Sequence, residues 1–96
     1  MILPPMHIEI YSKPDCHLCD EAKAVLRTAQ RRIPFTLAEI DIQSDPALFE
    51  RYRYDIPVVF IDGHKAFKHR IDPKRLEQRL RREAGAPIAE PGPDDG

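Results

Sequence analysis

His7-Ile-Glu-Ile-Tyr-Ser-Lys-Pro-Asp-Cys-His-Leu-Cys-Asp-Glu-Ala22 is the stretch on which the reading of this chain turns. Its first half alternates, with Ile8 and Ile10 on one side and Glu9 on the other, the period of a half-buried strand. Its second half opens a helix. Leu18, Ala22, Val25, Leu26 and Ala29 fall at helical intervals. Asp20 and Glu21 lie in the first turn and Arg31 and Arg32 in the last, each sign at the end of the macrodipole that favours it. The pattern predicts a strand over residues 7–12 and a helix over about 16–31. Cys16 and Cys19 sit where the two meet.

That junction has chemistry of its own. A helix N-terminus leaves N–H groups without partners and carries about half a positive charge, and both favour a thiolate over a thiol. Cys16, at the tip, receives most of the effect, while Cys19 lies one turn deeper. The expected division of labour has Cys16 attacking as thiolate and Cys19 resolving the mixed disulfide. Lys13 and His17 add positive or polarisable groups nearby. Asp15 is ambiguous: its carboxylate can cap the helix, yet its charge would raise the thiol pKa. A purely structural disulfide at this spacing would close a tiny loop and stabilise little. A zinc site would need four ligands, and there is no second C-x-x-C pair. His7, His64 and His69 form no ligand cluster in sequence, and His17 is too close to both cysteines to complete a tetrahedron. A metal shared between two chains stays open at this point.

Further along, Phe35–Ile42 is rich in β-formers but Leu37-Ala38 breaks its parity, so an outer strand is expected there. Asp45-Pro46 is a helix start, an N-cap residue followed by proline at the first helical position. The helix should run to about Tyr54, with Leu48 and Tyr52 inward. Val58-Val-Phe-Ile61 is continuously apolar, as expected of a strand buried on both faces. Asp62-Gly63 signals a hairpin returning through residues 64–68. Asp72-Pro73 repeats the helix start, with Leu76, Leu80 and Ala84 on one stripe and Gly85 as the stop. Residues 86–96, rich in Pro, Gly and acids, read as a disordered tail after a domain over 1–85. The element order is β-α-β-α-β-β-α. It calls for a right-handed parallel crossover followed by an antiparallel hairpin, hence a mixed four-stranded α/β sheet with helices on both faces.

The 96 residues, 42% hydrophobic and 32% charged with a formal net charge of −1, suit one small soluble domain. Such a domain buries only about two-thirds of its unfolded surface. No apolar run approaches the ~20 residues of a bilayer span, and nothing in the charge balance calls for nucleic acid. Met1 to Met6 has no basic n-region and no long apolar core, so no signal peptide is expected, and the expected compartment is the reducing cytoplasm. Lys65, Lys68, Arg70, Lys74, Arg75, Arg79, Arg81 and Arg82 make the last third basic, which a solvated helix face explains more simply than an acidic partner.

Tyr11-Ser-Lys-Pro-Asp-Cys16-His-Leu-Cys19 resembles the active-site segment of the glutaredoxins, and Ile56-Pro-Val-Val-Phe-Ile-Asp-Gly63 is similar to the segment carrying that family's cis-proline. The resemblance covers about residues 6–84 and is closest to short bacterial glutaredoxin-like proteins. It implies a thioredoxin/glutaredoxin-like fold and thiol–disulfide exchange, with Cys16 as nucleophile and Cys19 as resolving thiol. It implies that Lys13 helps stabilise the thiolate and can meet a glutathione carboxylate. It further implies that Pro57 is cis and that the Ile56 backbone pairs with a bound substrate peptide. No tightly bound cofactor is implied; glutathione enters as a co-substrate, a disulfide-bearing protein or small thiol as partner, and a monomer suffices. The implied potential lies between thioredoxin and glutaredoxins, roughly −270 to −200 mV.

One departure matters. Where glutaredoxins carry a Gly-Gly pair after the hairpin, this chain has Phe67-Lys-His-Arg-Ile-Asp72. That favours, as a rival, a protein-disulfide reductase that ignores glutathione. Two readings from other classes stand beside it: a metal or iron–sulfur module using the C-x-x-C, and an interaction domain whose thiols are incidental.

Overall fold

The computed structural model describes residues 6–83. The elements are β1 (Met6–Ser12), α1 (His17–Arg32), β2 (Phe35–Asp41), α2 (Pro46–Tyr52), β3 (Val58–Ile61), β4 (His64–Lys68) and α3 (Pro73–Glu83). This is the expected order. The strands form one sheet in the order β2-β1-β3-β4, with β1 parallel to β2 and the other two pairings antiparallel. Ala84, Gly85 and the tail expected at 86–96 lie outside the described residues.

The alternation in β1 and β3 sorts the core into two halves. Ile8 pairs with Ile61 and Ile10 with Val59. All four pack on one face with Ala22 and Leu26 of α1 and Leu76 and Leu80 of α3. The alternate pairs, Glu9 with Phe60 and Tyr11 with Val58, point to the other face. There Val58 joins Ile42, Tyr52, Ile56 and Cys19 in a second, smaller cluster beneath α2. Helices therefore cover both faces, and β3 is apolar throughout because each face needs it.

Three boundaries differ from expectation, each for a local reason. Cys16 is the N-cap of α1 rather than its first residue, with extended backbone (φ −110°, ψ 108°). The outer strand β2 ends at Asp41, not Ile42, because Asp41 caps a single 3-10 turn over Ile42–Ser44 by accepting from the Gln43 N–H at 2.8 Å. That turn carries Ile42 into the smaller cluster, fully buried. Finally, α2 stops at Tyr52, two residues short of Tyr54, and the Asp55 and Ile56 N–H groups fold back onto the Tyr52 carbonyl at 2.8 and 3.1 Å. Among the described residues no helix is long and apolar enough to cross a membrane.

At seven residues, α2 is too short to hold itself by propensity, so its cap matters. Asp45 Oδ1 accepts the Ala47 N–H at 2.9 Å with Pro46 beside it, as the sequence indicates. Asp45→Ala is expected to cost about 1 kcal/mol, a fall of roughly 4–8 °C in Tm. Paired thermal melts of the two proteins measure it.

Candidate active site

Four residues, Lys13 to Cys16, carry the chain from the sheet into α1. The turn is sharp. Asp15 takes a left-handed conformation, φ 61°, which short polar residues tolerate best. It thereby brings Cys16, not its own carboxylate, to the cap: Cys16 Sγ accepts the Cys19 N–H at 3.2 Å. Of the two roles open to Asp15, capping is overturned. The sulfur occupies the place where a serine or aspartate oxygen ordinarily meets the orphan donors, at the positive end of a 16-residue helix.

Cys16 and Cys19 are joined as a disulfide with their Cα atoms 5.1 Å apart. Their surroundings differ as the sequence leads one to expect. Cys19 is fully buried in the cluster under α2, whereas Cys16 is partly exposed and packs on that cluster's edge. The outer sulfur is open to attack and the inner one is not.

The Ile56–Pro57 peptide is cis. Ile56 is buried in the same cluster as Cys19, and Pro57 is fully buried beside it. The structure thus brings Cys16, Cys19 and Ile56 together, with Pro57 adjoining and Lys13 half-buried in the loop that delivers Cys16. Of the Ile56 backbone, implied above to pair with substrate, the N–H is donated to the Tyr52 carbonyl as α2 closes.

His69 is a residue of this region that the sequence does not single out. It lies in the stretch where the resembling family has a Gly-Gly pair, and its backbone is left-handed, φ 70°. Its N–H donates to the Pro57 carbonyl at 2.8 Å, and its ring Nε2 lies 3.1 Å from the Tyr54 carbonyl. The bond to that carbonyl requires the proton on Nε2. Both contacts clasp the loop before β3. Histidine is among the residues enriched at positive φ, the only hint the sequence offers.

Beneath the cysteines, Tyr11, Tyr52 and Phe60 form an aromatic group with centroids 5.0 to 6.3 Å apart. Burial, then the nearby Glu9 and Tyr52, pushes the Tyr11 phenol above its ordinary pKa, so it stays neutral and adds no charge near the sulfurs. Among the described residues no group of three or more His, Cys, Asp or Glu side chains could hold a metal ion.

A partly exposed cap sulfur, a buried partner one turn deeper and a cis-proline loop adjoining them suit disulfide exchange. Comparison with known proteins points the same way. The family model described as Glutaredoxin-like domain (DUF836) matches residues 7–81. A glutaredoxin-like protein of Dictyostelium discoideum, named as a YDR286C homolog, is 36% identical over 77 residues, covering 74% of this chain and 71% of its own. Among solved structures, protein Ne2328 of Nitrosomonas europaea superposes with a TM-score of 0.71 at 27% identity, over 83% of this chain and 96% of that one. A mutant thioredoxin of Halobacterium salinarum superposes with a TM-score of 0.63 at 18% identity, over 82% of this chain and 74% of that one, a likeness of fold alone.

Proposed function

The chain belongs to the glutaredoxin-like domain family, and from that premise we propose that it is a dithiol oxidoreductase that reduces disulfides through Cys16 and Cys19. The observation that carries the reading is the cap: the sulfur that would attack already accepts the Cys19 N–H at 3.2 Å. In the reduced protein the same bond falls on a thiolate, which helix N-termini stabilise.

The reaction balances in two displacements. The Cys16 thiolate attacks one sulfur of a substrate disulfide, a new S–S bond forms, and the other substrate sulfur leaves as a thiolate. Cys19 then loses its proton and attacks Cys16, and the second substrate sulfur departs. Two electrons pass from the protein to the substrate, both substrate thiolates take up protons, and the Cys16–Cys19 disulfide remains, the form in which the structure stands. Burial of Cys19 keeps it from competing for substrate, while its position one turn away keeps it close to Cys16. Glutathione or a protein reductase returns the dithiol, and a cytoplasmic setting supplies either.

A second reading, in which glutathione is not the partner, rests on the absence of the family's Gly-Gly pair from the stretch Phe67–Asp72. One experiment tests both. The pure protein and its Cys19→Ser variant are equilibrated across glutathione redox buffers and read by intact mass. The internal disulfide is expected to form in a single two-electron step, roughly between −270 and −200 mV. One glutathione on Cys16 of the variant establishes coupling to glutathione. An internal disulfide without that adduct establishes the protein-partner reading. No disulfide near cytosolic potentials sinks the redox reading altogether.

A further inference from the structure

Tyr54 is 79% exposed, the one large hydrophobic side chain so exposed among the described residues. A lone exposed tyrosine needs no explanation, but this one holds a cation. The Arg53 guanidinium lies 4.9 Å from the Tyr54 ring and 4.9 Å from that of Phe49. Arg51 sits over the neighbouring Tyr52 ring at 5.7 Å. Guanidinium groups set on aromatic rings have less freedom left to lose on meeting a carboxylate.

These charges are not consumed within the fold. On α3, Arg79 reaches Glu83 at 3.1 Å and Arg81 reaches Glu77 at 2.7 Å, so two of the five cations of that helix are held by its own acids. At the end of α2, Arg53 has only the exposed Glu50 at 4.0 Å, and Lys68 has Asp55 at 3.9 Å. Arg51 and Arg70 have no carboxylate within 4 Å among the described residues.

Placement gives the charge its meaning. Phe49, under Arg53, packs on the cluster whose edge holds Cys16. Tyr54 precedes Ile56 by two residues, and its carbonyl meets the His69 ring between Lys68 and Arg70. Cations thus flank the Ile56–Pro57 loop on two chain segments. On the α1 side of Cys16 the loop and first turn carry the exposed acids Asp15, Asp20 and Glu21 against one half-buried cation, Lys13. The α2 side of the site is predominantly positive and the α1 side predominantly negative.

We infer that Arg51, Arg53, Tyr54, Lys68 and Arg70 form a docking rim for substrate proteins carrying acidic side chains next to the reactive disulfide. The inference rests on the exchange reading above and names its substrate class. The spread of cations over two segments fits an extended chain rather than a small anion, and the opposite charge of the α1 wall sets which way that chain lies. Arginine and tyrosine are also the residue types on which protein contacts most often depend.

The test uses two decapeptides, each with one cysteine held as a mixed disulfide with 2-mercaptoethanol, identical except for glutamates or lysines flanking that cysteine. Hydroxyethyl disulfide serves as the small neutral substrate. The reduced full-length protein is expected to react with the glutamate peptide about tenfold faster or more at low salt, the two rates converging near 1 M salt. In the Arg51→Glu/Arg53→Glu protein the ratio should fall to one or invert. Because that variant can fail to fold, the salt series on the unaltered protein stands as an independent measurement. Equal rates for the two peptides at low salt overturn the rim and leave the exchange reading intact. A ratio unmoved in the folded double variant also overturns it. Failure with both peptides and with hydroxyethyl disulfide overturns the exchange reading, and the rim with it.

Discussion

A Cys16→Ser protein is expected to lose disulfide exchange by at least about a thousandfold while keeping its fold. The reasoning separates two jobs that one sulfur performs. As a nucleophile, Cys16 depends on a thiolate, which a serine hydroxyl cannot replace at neutral pH because its proton is held far more tightly. As a helix cap, Cys16 accepts the Cys19 N–H, and serine is among the best residues for that task. The lost disulfide closes so short a loop that little stability goes with it. Turnover of a small disulfide should therefore vanish while the melting temperature of the reduced protein stays within a few degrees. Cys19→Ser behaves differently: the first displacement survives and the protein accumulates as a mixed disulfide, visible by mass. Residual turnover in Cys16→Ser above about a tenth of the parent would mean that Cys19 attacks substrate directly. Its complete burial argues against that.

The largest effect on stability is expected at Leu26. It is fully buried in the main cluster, among Ile8, Ile10, Leu76 and Leu80. Leu26→Ala removes three carbons from the interface of α1, α3 and the sheet, and the backbone on every side is held in regular structure, so the space cannot collapse. The cost should be about 2–5 kcal/mol. For a domain whose whole stability is about 5–15 kcal/mol, that is a large share of the total. At roughly 4–8 °C per kcal/mol, the melting point falls by about 8–40 °C. Urea unfolding of the two proteins, with unchanged slope, measures it. Leu48→Ala, at a half-buried position on the small cluster, should cost visibly less. A loss below 1 kcal/mol at Leu26 would mean that the α1–α3 face is not the principal core.

What could be read in advance follows a physical line. Val58–Ile61 and the hairpin after it are local: four apolar residues and an Asp-Gly turn admit few other structures, and both elements appear with the expected bounds. The pairing of Cys16 with Cys19 at a helix start is local too. Ile42 reads as strand because its neighbours alternate, and nothing local shows that the Asp41 side chain ends the strand by capping the next turn. Asp15 reads as a possible cap because aspartate usually is one; the left-handed turn that shifts the role to Cys16 is a property of the loop as a whole. His69 is invisible for a stronger reason. Its contacts, to Tyr54 and Pro57, join segments brought together only by the sheet. The departure from the family's Gly-Gly pair is legible, whereas the left-handed turn at His69 is not.

Splitting the interior into a large cluster on one side of the sheet and a small one on the other has a consequence for descent. The residues that hold the domain together and the residues that line its chemistry overlap little. Substitutions around α2 and the proline loop can accumulate without drawing down the reserve of stability stored between α1 and α3. A lineage can exchange one clientele for another by altering that side alone, and related chains can diverge in whom they serve long before they diverge in shape.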